Sequence, residues 1–350
     1  MMSIKPTVFV TGAAGKIGTH TIEYLHEQGF AIQGIDRVMP GIDRVMPGID
    51  PVSGNNIASI DVMQGDINQV GPLAEAMAGC DVVLHLAAIT LPWRCPPDEM
   101  FRINCHGTFC VYQAAAAAGI RKVICASSIN ALGSWFGQVF PPIKYLPVDE
   151  GHPSLTTDIY SFSKQTMESI GAYFWRRDGI ANVSFRMGGR MMASPGLCSP
   201  EVRATMNELL ALPGNEGQAR IQGWMDAFFQ QRQIVPSEQY TQDMTPTRTH
   251  NIEGSAGAII SHVCHFWTSL DIRDRLQAFE KALLAELEGS HPLFIHDSHT
   301  CIGMPSQELA ALCYPAAEIT RSLRGTEALI SLDLARELIG FDPQYPAQTD

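Results

Sequence analysis

A chain of 350 residues is long for one compact domain and short for three, so one large α/β unit with a smaller appended or inserted part is expected. Hydrophobic residues at 45% and charged residues at 17% exclude a disordered composition. The balance of 24 Lys+Arg against 36 Asp+Glu, a formal charge of −12, repels polyanions and argues against nucleic acid or an anionic membrane as the main partner, leaving a small molecule.

The N-terminus, "MMSIKPTVFV", runs straight into a strand-like segment without an apolar stretch and cleavage site, and no run reaches the ~18 apolar residues of a membrane span; a cytoplasmic protein is expected. Up to about residue 190 the chain alternates short aliphatic runs with helical stretches, the pattern of a doubly wound parallel sheet. Strands are predicted at 7–10, 31–35, 57–61, 82–85, 122–125 and 182–186, and helices at 16–28, 69–78, 104–118 and 159–176.

Between the first strand and first helix, "TVFVTGAAGKIGTHTIEYL" sets Gly12, Gly15 and Gly18 at the spacing of a dinucleotide loop. Gly12 permits the tight turn, Gly15 lets backbone approach a pyrophosphate, and Gly18 lets the helix pack on the sheet. The free N–H groups at Lys16 and Ile17 then face the anion. Asp36 ends the second strand 18 residues after Gly18 and is assigned the adenosine ribose; a carboxylate there repels a 2′-phosphate and favours NAD over NADP. Arg37 beside it is able to pair with such a phosphate and pulls the other way.

Next comes "GIDRVMPGIDRVMPGID", the heptad of residues 34–40 repeated once and begun a third time. Pro and Gly in each copy exclude a coiled coil, and seven residues are too few for a solenoid unit, which runs to at least ~20. The repeat reads as a tandem duplication that lengthens a loop, with Asp43 and Asp50 as solvated carboxylates.

"KVICASSINALG" places Ser127 and Ser128 just past a strand end, and "DIYSFSKQTMESI" puts Tyr160 and Lys164 four apart on one helix face. An ammonium near a phenol is expected to lower the phenol pKa from about 10 and make it a usable acid or base. Beyond 190 the rhythm is lost. Two helices, 200–212 and 218–232, lead into a polar run, and the order resumes with an amphipathic helix, 272–289, whose stripe is Ile272, Leu276, Phe279, Leu283 and Leu287. A strand at 292–297 and helices at 305–313 and 333–339 close the chain.

With these motifs the chain resembles the extended short-chain dehydrogenases/reductases of the NAD-dependent epimerase/dehydratase family. The matching residues are the glycine loop, "GDI" at 65–67, "HLAA" at 85–88, Asn104, "SSINALG" and "YSFSK". The resemblance implies a Rossmann-type doubly wound sheet over 1–190 and a smaller C-terminal substrate-binding part, 191–350, of which 191–265 is an unreadable insertion and 266–350 is family-like. It implies that Asp66 and Ile67 meet the adenine and that Leu86, Ala87 and Ala88 line the cofactor. Asn104 begins the helix beside the site, and Ser128, Tyr160 and Lys164 form the catalytic set, with Lys164 also on the nicotinamide ribose. A homodimer through the helices beginning near Asn104 and Ile159 is implied as well, eased by the small residues Ala114 to Gly119.

The expected substrate is sugar-like. "RMGG" and "SSIN" look more like a sugar-acid dehydrogenase of the uronate type than a nucleotide-sugar enzyme. A nucleotide-sugar epimerase or dehydratase and a non-catalytic NAD-binding sensor or scaffold are the alternatives. Arg186 is placed to bind a carboxylate or to pair with a structural acid, and Asn130 to contact substrate hydroxyls or to pack; Ser127 is given a packing role. Trp93 and Arg94 in "LPWRCPP" line a substrate mouth or pack a loop. His291, His296, His299, His262 and His265 are read as surface or supporting histidines, and no metal is assigned. Nine cysteines, an odd number without a C-x-x-C pair, read as reduced buried thiols.

Overall fold

The computed structural model describes residues 5–38, 61–188, 190–192, 198–232 and 254–346. β1 (Val8–Thr11) leads into α1 (Lys16–Glu27) and β2 (Ile32–Asp36); β3 (Asp61–Gln64) is followed by α2 (Val70–Ala76) and β4 (Val82–His85). Then come α3 (Pro97–Phe101), a π-helical turn (Arg102–His106), α4 (Gly107–Ala117), β5 (Lys122–Cys125) and a short 3-10 turn (Ile129–Leu132). β6 (Tyr145–Leu146), α5 (Ile159–Asp178), β7 (Ala181–Met187) and β8 (Arg190–Met192) precede α6 (Pro200–Ala211), α7 (Glu216–Gln230) and α8 (Ser255–Cys264). The chain ends through β9 (Ser269–Asp271), α9 (Ile272–Leu284), β10 (Ser290–Ile295), α10 (Ser306–Cys313), β11 (Glu318–Ile319) and α11 (Asp333–Ile339).

Seven of these strands form one parallel sheet in the order β10-β7-β5-β4-β1-β2-β3. β1, β4 and β7 are buried at every position, as strands covered on both faces must be. Alternation along β1 splits the core: Val8 and Val10 join Ile22, Leu25, Phe185 and Phe279 on one face, while Phe9 joins Leu73, Val83, Tyr112 and Phe174 on the other. The order reverses between β1 and β4, which opens a crevice above their carboxyl ends. A third core gathers Val202, Met206, Ile221, Phe228, Ile259 and Trp267 with Leu132 and Leu146, and builds a lobe over that edge. Among the described residues, no helix is long and apolar enough to cross a membrane.

The doubly wound sheet is as expected, and several details differ. The third strand is Asp61–Gln64, not 57–61, because Val62 and Met63 carry the pairing with Gly34 and Ile35; residues 57–60 lie outside the described part. So do Asp43 and Asp50 with most of the duplicated loop. The 272–289 helix stops at Leu284, where Lys122 Nζ donates to the carbonyls of Leu283 (3.0 Å) and Ala285 (2.6 Å) and the chain turns extended at Ala285. The stripe Leu276, Phe279 and Leu283 is buried as expected, but Leu287 packs from outside the helix. Asn104 does not open a helix: the helical run starts at Pro97, with Pro at its first turn and Asp98 and Glu99 at its positive end, and Asn104 sits within the π-turn. β10 pairs with β7 from Ser290↔Asn182 to Ile295↔Met187, so the sheet takes its edge strand from beyond residue 190.

Candidate active site

The glycine loop is built by close backbone approach. Gly12 has φ +73°, and a Cβ there would stand 2.6 Å from the Ala87 nitrogen; a Cβ on Gly18 would meet the Gly12 carbonyl at 2.1 Å. Gly15 is the N-cap of α1, with no side chain answering the first amides, so Lys16, Ile17 and Gly18 present N–H groups free for an anion. Asp36 holds the loop's other edge. Its Oδ2 accepts from Ala14 N at 3.0 Å and its Oδ1 from Val38 N at 3.2 Å, leaving lone pairs for ribose hydroxyls. Arg37 turns to a cavity of about 380 Å³ that it lines with Ile89, Arg94, Glu99 and Ile103.

Asp66 loses some ionisation to burial, but the backbone and side-chain amides of Asn68 hold its carboxyl below the usual range. Ile67 is buried against the Gly107 backbone. Leu86, Ala87 and Ala88 follow β4 at the crevice, half-buried. Beneath them His85 joins Thr11 Oγ1 (2.7 Å) to Thr108 Oγ1 (2.9 Å), and burial with the Lys164 charge brings its pKa down to about 3, so the ring is neutral. Asn104 clamps the next loop, accepting from Ile89 N (2.8 Å) and donating to Ile89 O (2.9 Å) and Ser163 Oγ (3.0 Å). The π-turn directs it there, a common use of such turns at functional sites.

α5 begins at Asp158, whose Oδ1 caps Ser161 N at 2.8 Å, and the next turn brings Tyr160 and Lys164 onto one buried face. Lys164 Nζ lies 5.8 Å from the Tyr160 ring centroid and donates to Ala126 O at 2.7 Å, just past β5. Ser128 caps the 3-10 turn, accepting from Asn130 N (3.1 Å) and Asn130 Nδ2 (3.4 Å). The phenol does not show the lowering expected of a neighbouring ammonium. Burial pushes the Tyr160 pKa up to about 12 against a hydrogen bond with Ser128, and burial brings Lys164 down to about 8 against the nearby Cys125, Cys105 and Glu168.

Of the two substrate candidates, Asn130 has an Oδ1 that is buried without a donor. Arg186 is committed elsewhere: Nε and Nη2 clasp Glu168 at 3.0 and 2.8 Å, and Ser127 Oγ donates to the same carboxylate at 2.7 Å, a buried brace beneath the site. Trp93 meets Phe136 edge-on at 5.6 Å, and Phe136 meets Tyr160 edge-on at 5.4 Å, so the "LPWRCPP" loop does reach the site wall.

Sequence reading missed Arg232. Its guanidinium lies 4.3 Å from the Phe228 ring, 5.2 Å from Trp135 and 5.3 Å from Phe229, and Nη1 donates to the Trp135 and Gly137 carbonyls. Trp135 in turn neighbours Phe136. Nε and Nη2, which share one edge of the fork, are buried without an acceptor, and burial lowers the pKa only to about 10, so the group stays charged at neutral pH. No motif marks it, since Trp135 and Gly137, whose carbonyls it holds, lie 97 and 95 residues away in sequence.

A parallel sheet with a glycine loop at the β1 to β4 crevice, and a Ser, Tyr, Lys group beside it, defines a dinucleotide-dependent oxidoreductase. The chain belongs to the NAD dependent epimerase/dehydratase family, whose model matches residues 8–192, and it is an NAD-dependent enzyme of the short-chain dehydrogenase/reductase type. L-arabinose 1-dehydrogenase (NAD(P)(+)) of Haloferax volcanii is 30% identical over 209 residues, 57% of this chain and 71% of that protein. Uronate dehydrogenase of Pseudomonas syringae pv. tomato is 26% identical over 181 residues, 52% and 58% of the two. A solved mutated uronate dehydrogenase shares the fold at TM-score 0.59 and 15% identity, covering 98% of this chain and 83% of that one. A short-chain dehydrogenase/reductase superfamily protein of Agrobacterium tumefaciens with bound NAD does so at 0.57 and 19%, covering 98% and 94%.

Proposed function

We propose that the protein is an NAD-dependent dehydrogenase that oxidises a carbinol carbon of a sugar acid. The observation that carries this reading is the buried cluster of Ser128, Tyr160 and Lys164 just past the end of β5. Bound NAD supplies the hydride acceptor. On the protein side, Ser128 and Asn130, whose buried Oδ1 lacks a donor, orient the substrate hydroxyls, the Lys164 ammonium stabilises the phenolate of Tyr160, and that phenolate takes the carbinol proton. Gly12, Gly15, Lys16, Ile17 and Gly18 seat the pyrophosphate, and Asp36 takes the ribose and disfavours a 2′-phosphate. In this reading 1–190 carries the cofactor, and the region after 190 supplies the substrate side as well as β10.

The acid group of the substrate is assigned to Arg232. A charged guanidinium buried among three rings with one N–H edge unanswered calls for an anion, and that edge suits a bidentate carboxylate. Asp158, whose Oδ2 also lacks a donor, offers the alternative charge. Replacing Arg232 by Gln is expected to raise KM for a hexuronate by about tenfold or more and to leave a neutral aldose within about twofold. An equal effect on both substrates would mean that Arg232 merely braces Asp158.

We also place self-association on the face of α3 and α5, where Phe101 and Phe162 are exposed and stacked at 6.2 Å and Tyr173 is exposed further along. Ala114 and Ala115 do not contribute, because both are buried in the chain's own core. Light scattering after size exclusion should give a dimer mass, and Phe162→Glu a monomer; a monomeric wild type would rule this face out.

A further inference from the structure

We propose that Cys198, His262 and Cys301 form a binding site for a thiophilic transition cation, with Zn(II) as its first candidate. The three side chains come from separate parts of the C-terminal lobe: Cys198 enters α6, His262 lies in the last turn of α8, and Cys301 follows β10. Cys198 Sγ is 3.5 Å from Cys301 Sγ and 3.4 Å from His262 Nε2, while Cys301 Sγ is 3.6 Å from His262 Nδ1. One ligand atom from each residue falls within 4.8 Å of the others, and all three residues are buried. A tetrahedral zinc with bonds of about 2.3 Å to sulfur and 2.0 Å to nitrogen has edges near 3.8 Å between sulfurs and about 3.5 Å from sulfur to nitrogen, so the sulfur pair is already near that spacing, while each sulfur faces a different ring nitrogen and the imidazole must turn for one nitrogen to serve the ion.

The surroundings hold the triangle in place. The His262 ring stacks on Trp267 at 5.0 Å and 9°, and Trp267 is fixed by φ +56° after Phe266 at +55°, a conformation bulky residues rarely adopt. Cys198 N donates to Cys301 O at 3.3 Å and Cys301 N to Trp267 O at 2.8 Å. The donor set of two sulfurs and one imidazole suits Zn(II) or Cu(I) rather than Mg(II) or Ca(II). Cys198 beside it, together with burial, pushes the Cys301 thiol above its ordinary range. A divalent cation would displace the two thiol protons to solvent, bind both thiolates and one neutral imidazole nitrogen, and retain a fourth position. It would pin the entry to α6 and the end of α8 to the loop after β10. The histidines read from sequence as supporting groups had only chain neighbours to be judged by; the two sulfurs arrive through the fold.

The test uses the full chain, and its readouts do not involve turnover, so its failure leaves the dehydrogenase reading untouched. Protein purified from zinc-supplemented cells should carry about one zinc per chain by elemental analysis, and Co(II) loaded after chelation should give a thiolate charge-transfer band with tetrahedral d–d intensity. Cys198→Ser/Cys301→Ser should lose both signals. If that variant fails to fold, His262→Gln should still weaken the band and lower zinc affinity by about tenfold or more. Less than about a tenth of an equivalent of zinc with no cobalt band, or a mass two units low from a Cys198–Cys301 disulfide, would overturn the proposal.

Discussion

Tyr160→Phe is expected to lower kcat by about a thousandfold while NAD affinity stays within about threefold. The phenol is buried with its pKa pushed up to about 12, so at neutral pH the free enzyme keeps it protonated. Oxidation of an alcohol needs the phenolate, and the group on hand to favour it is Lys164, charged below about 8 and on the same helix face. Rate in the oxidative direction should therefore climb from pH 7 toward alkaline values. Lys164→Ala should move the midpoint of that rise upward by about one unit or more, because a cation no longer offsets the burial. The ring contact with Phe136 survives in the Phe variant, so folding and NAD titration serve as the control. Unchanged turnover would remove Tyr160 from the chemistry.

Acid should destabilise the protein before ordinary carboxylates titrate. His85 and His296 are buried and His265 partly so, with pKa values lowered to about 3, about 4 and about 4, chiefly by desolvation. A group whose folded pKa is depressed contributes stability that is fully present above the unfolded value, ~6.5, and is lost as pH falls toward the folded value, because the unfolded chain binds the proton first. At pH 5 each ring costs about 2 kcal/mol, about 6 kcal/mol together, which lowers Tm by roughly 8 °C for a chain of this size. Glu150 and Asp158, whose carboxyls burial pushes up, work in the opposite direction once the pH reaches the carboxylate range. Thermal melts between pH 7 and 5 measure the slope, and His85→Asn should make it about a third less steep. A flat Tm across that interval would mean the imidazoles are not held neutral by the fold.

What was legible in the sequence was local. Gly12, Gly15 and Gly18 act within one turn, and Asp36 closes on Ala14 across a single strand and helix. Tyr160 and Lys164 meet because four residues are one helical turn, and β1 and β4 announced themselves as short unbroken apolar runs. What stayed hidden depends on contacts that only the folded chain makes. Arg232 finds Trp135 97 residues away, and Cys198 finds Cys301 at a separation of 103. Arg186 read equally as a carboxylate binder or as the partner of a structural acid, and Glu168 in its fork decides for the second. The spacing of Tyr160 and Lys164 was right, but the direction of the phenol pKa was not, because an i to i+4 pattern reports proximity and not the desolvation that outweighs it.

The most direct test follows absorbance at 340 nm with purified enzyme, NAD and one substrate at a time from hexuronates, neutral aldoses and nucleotide sugars. Steady accumulation of NADH with a hexuronate, lost in Tyr160→Phe, is the predicted result. Conversion of a nucleotide sugar without accumulation of NADH would contradict it and assign the same residues to an epimerase or dehydratase.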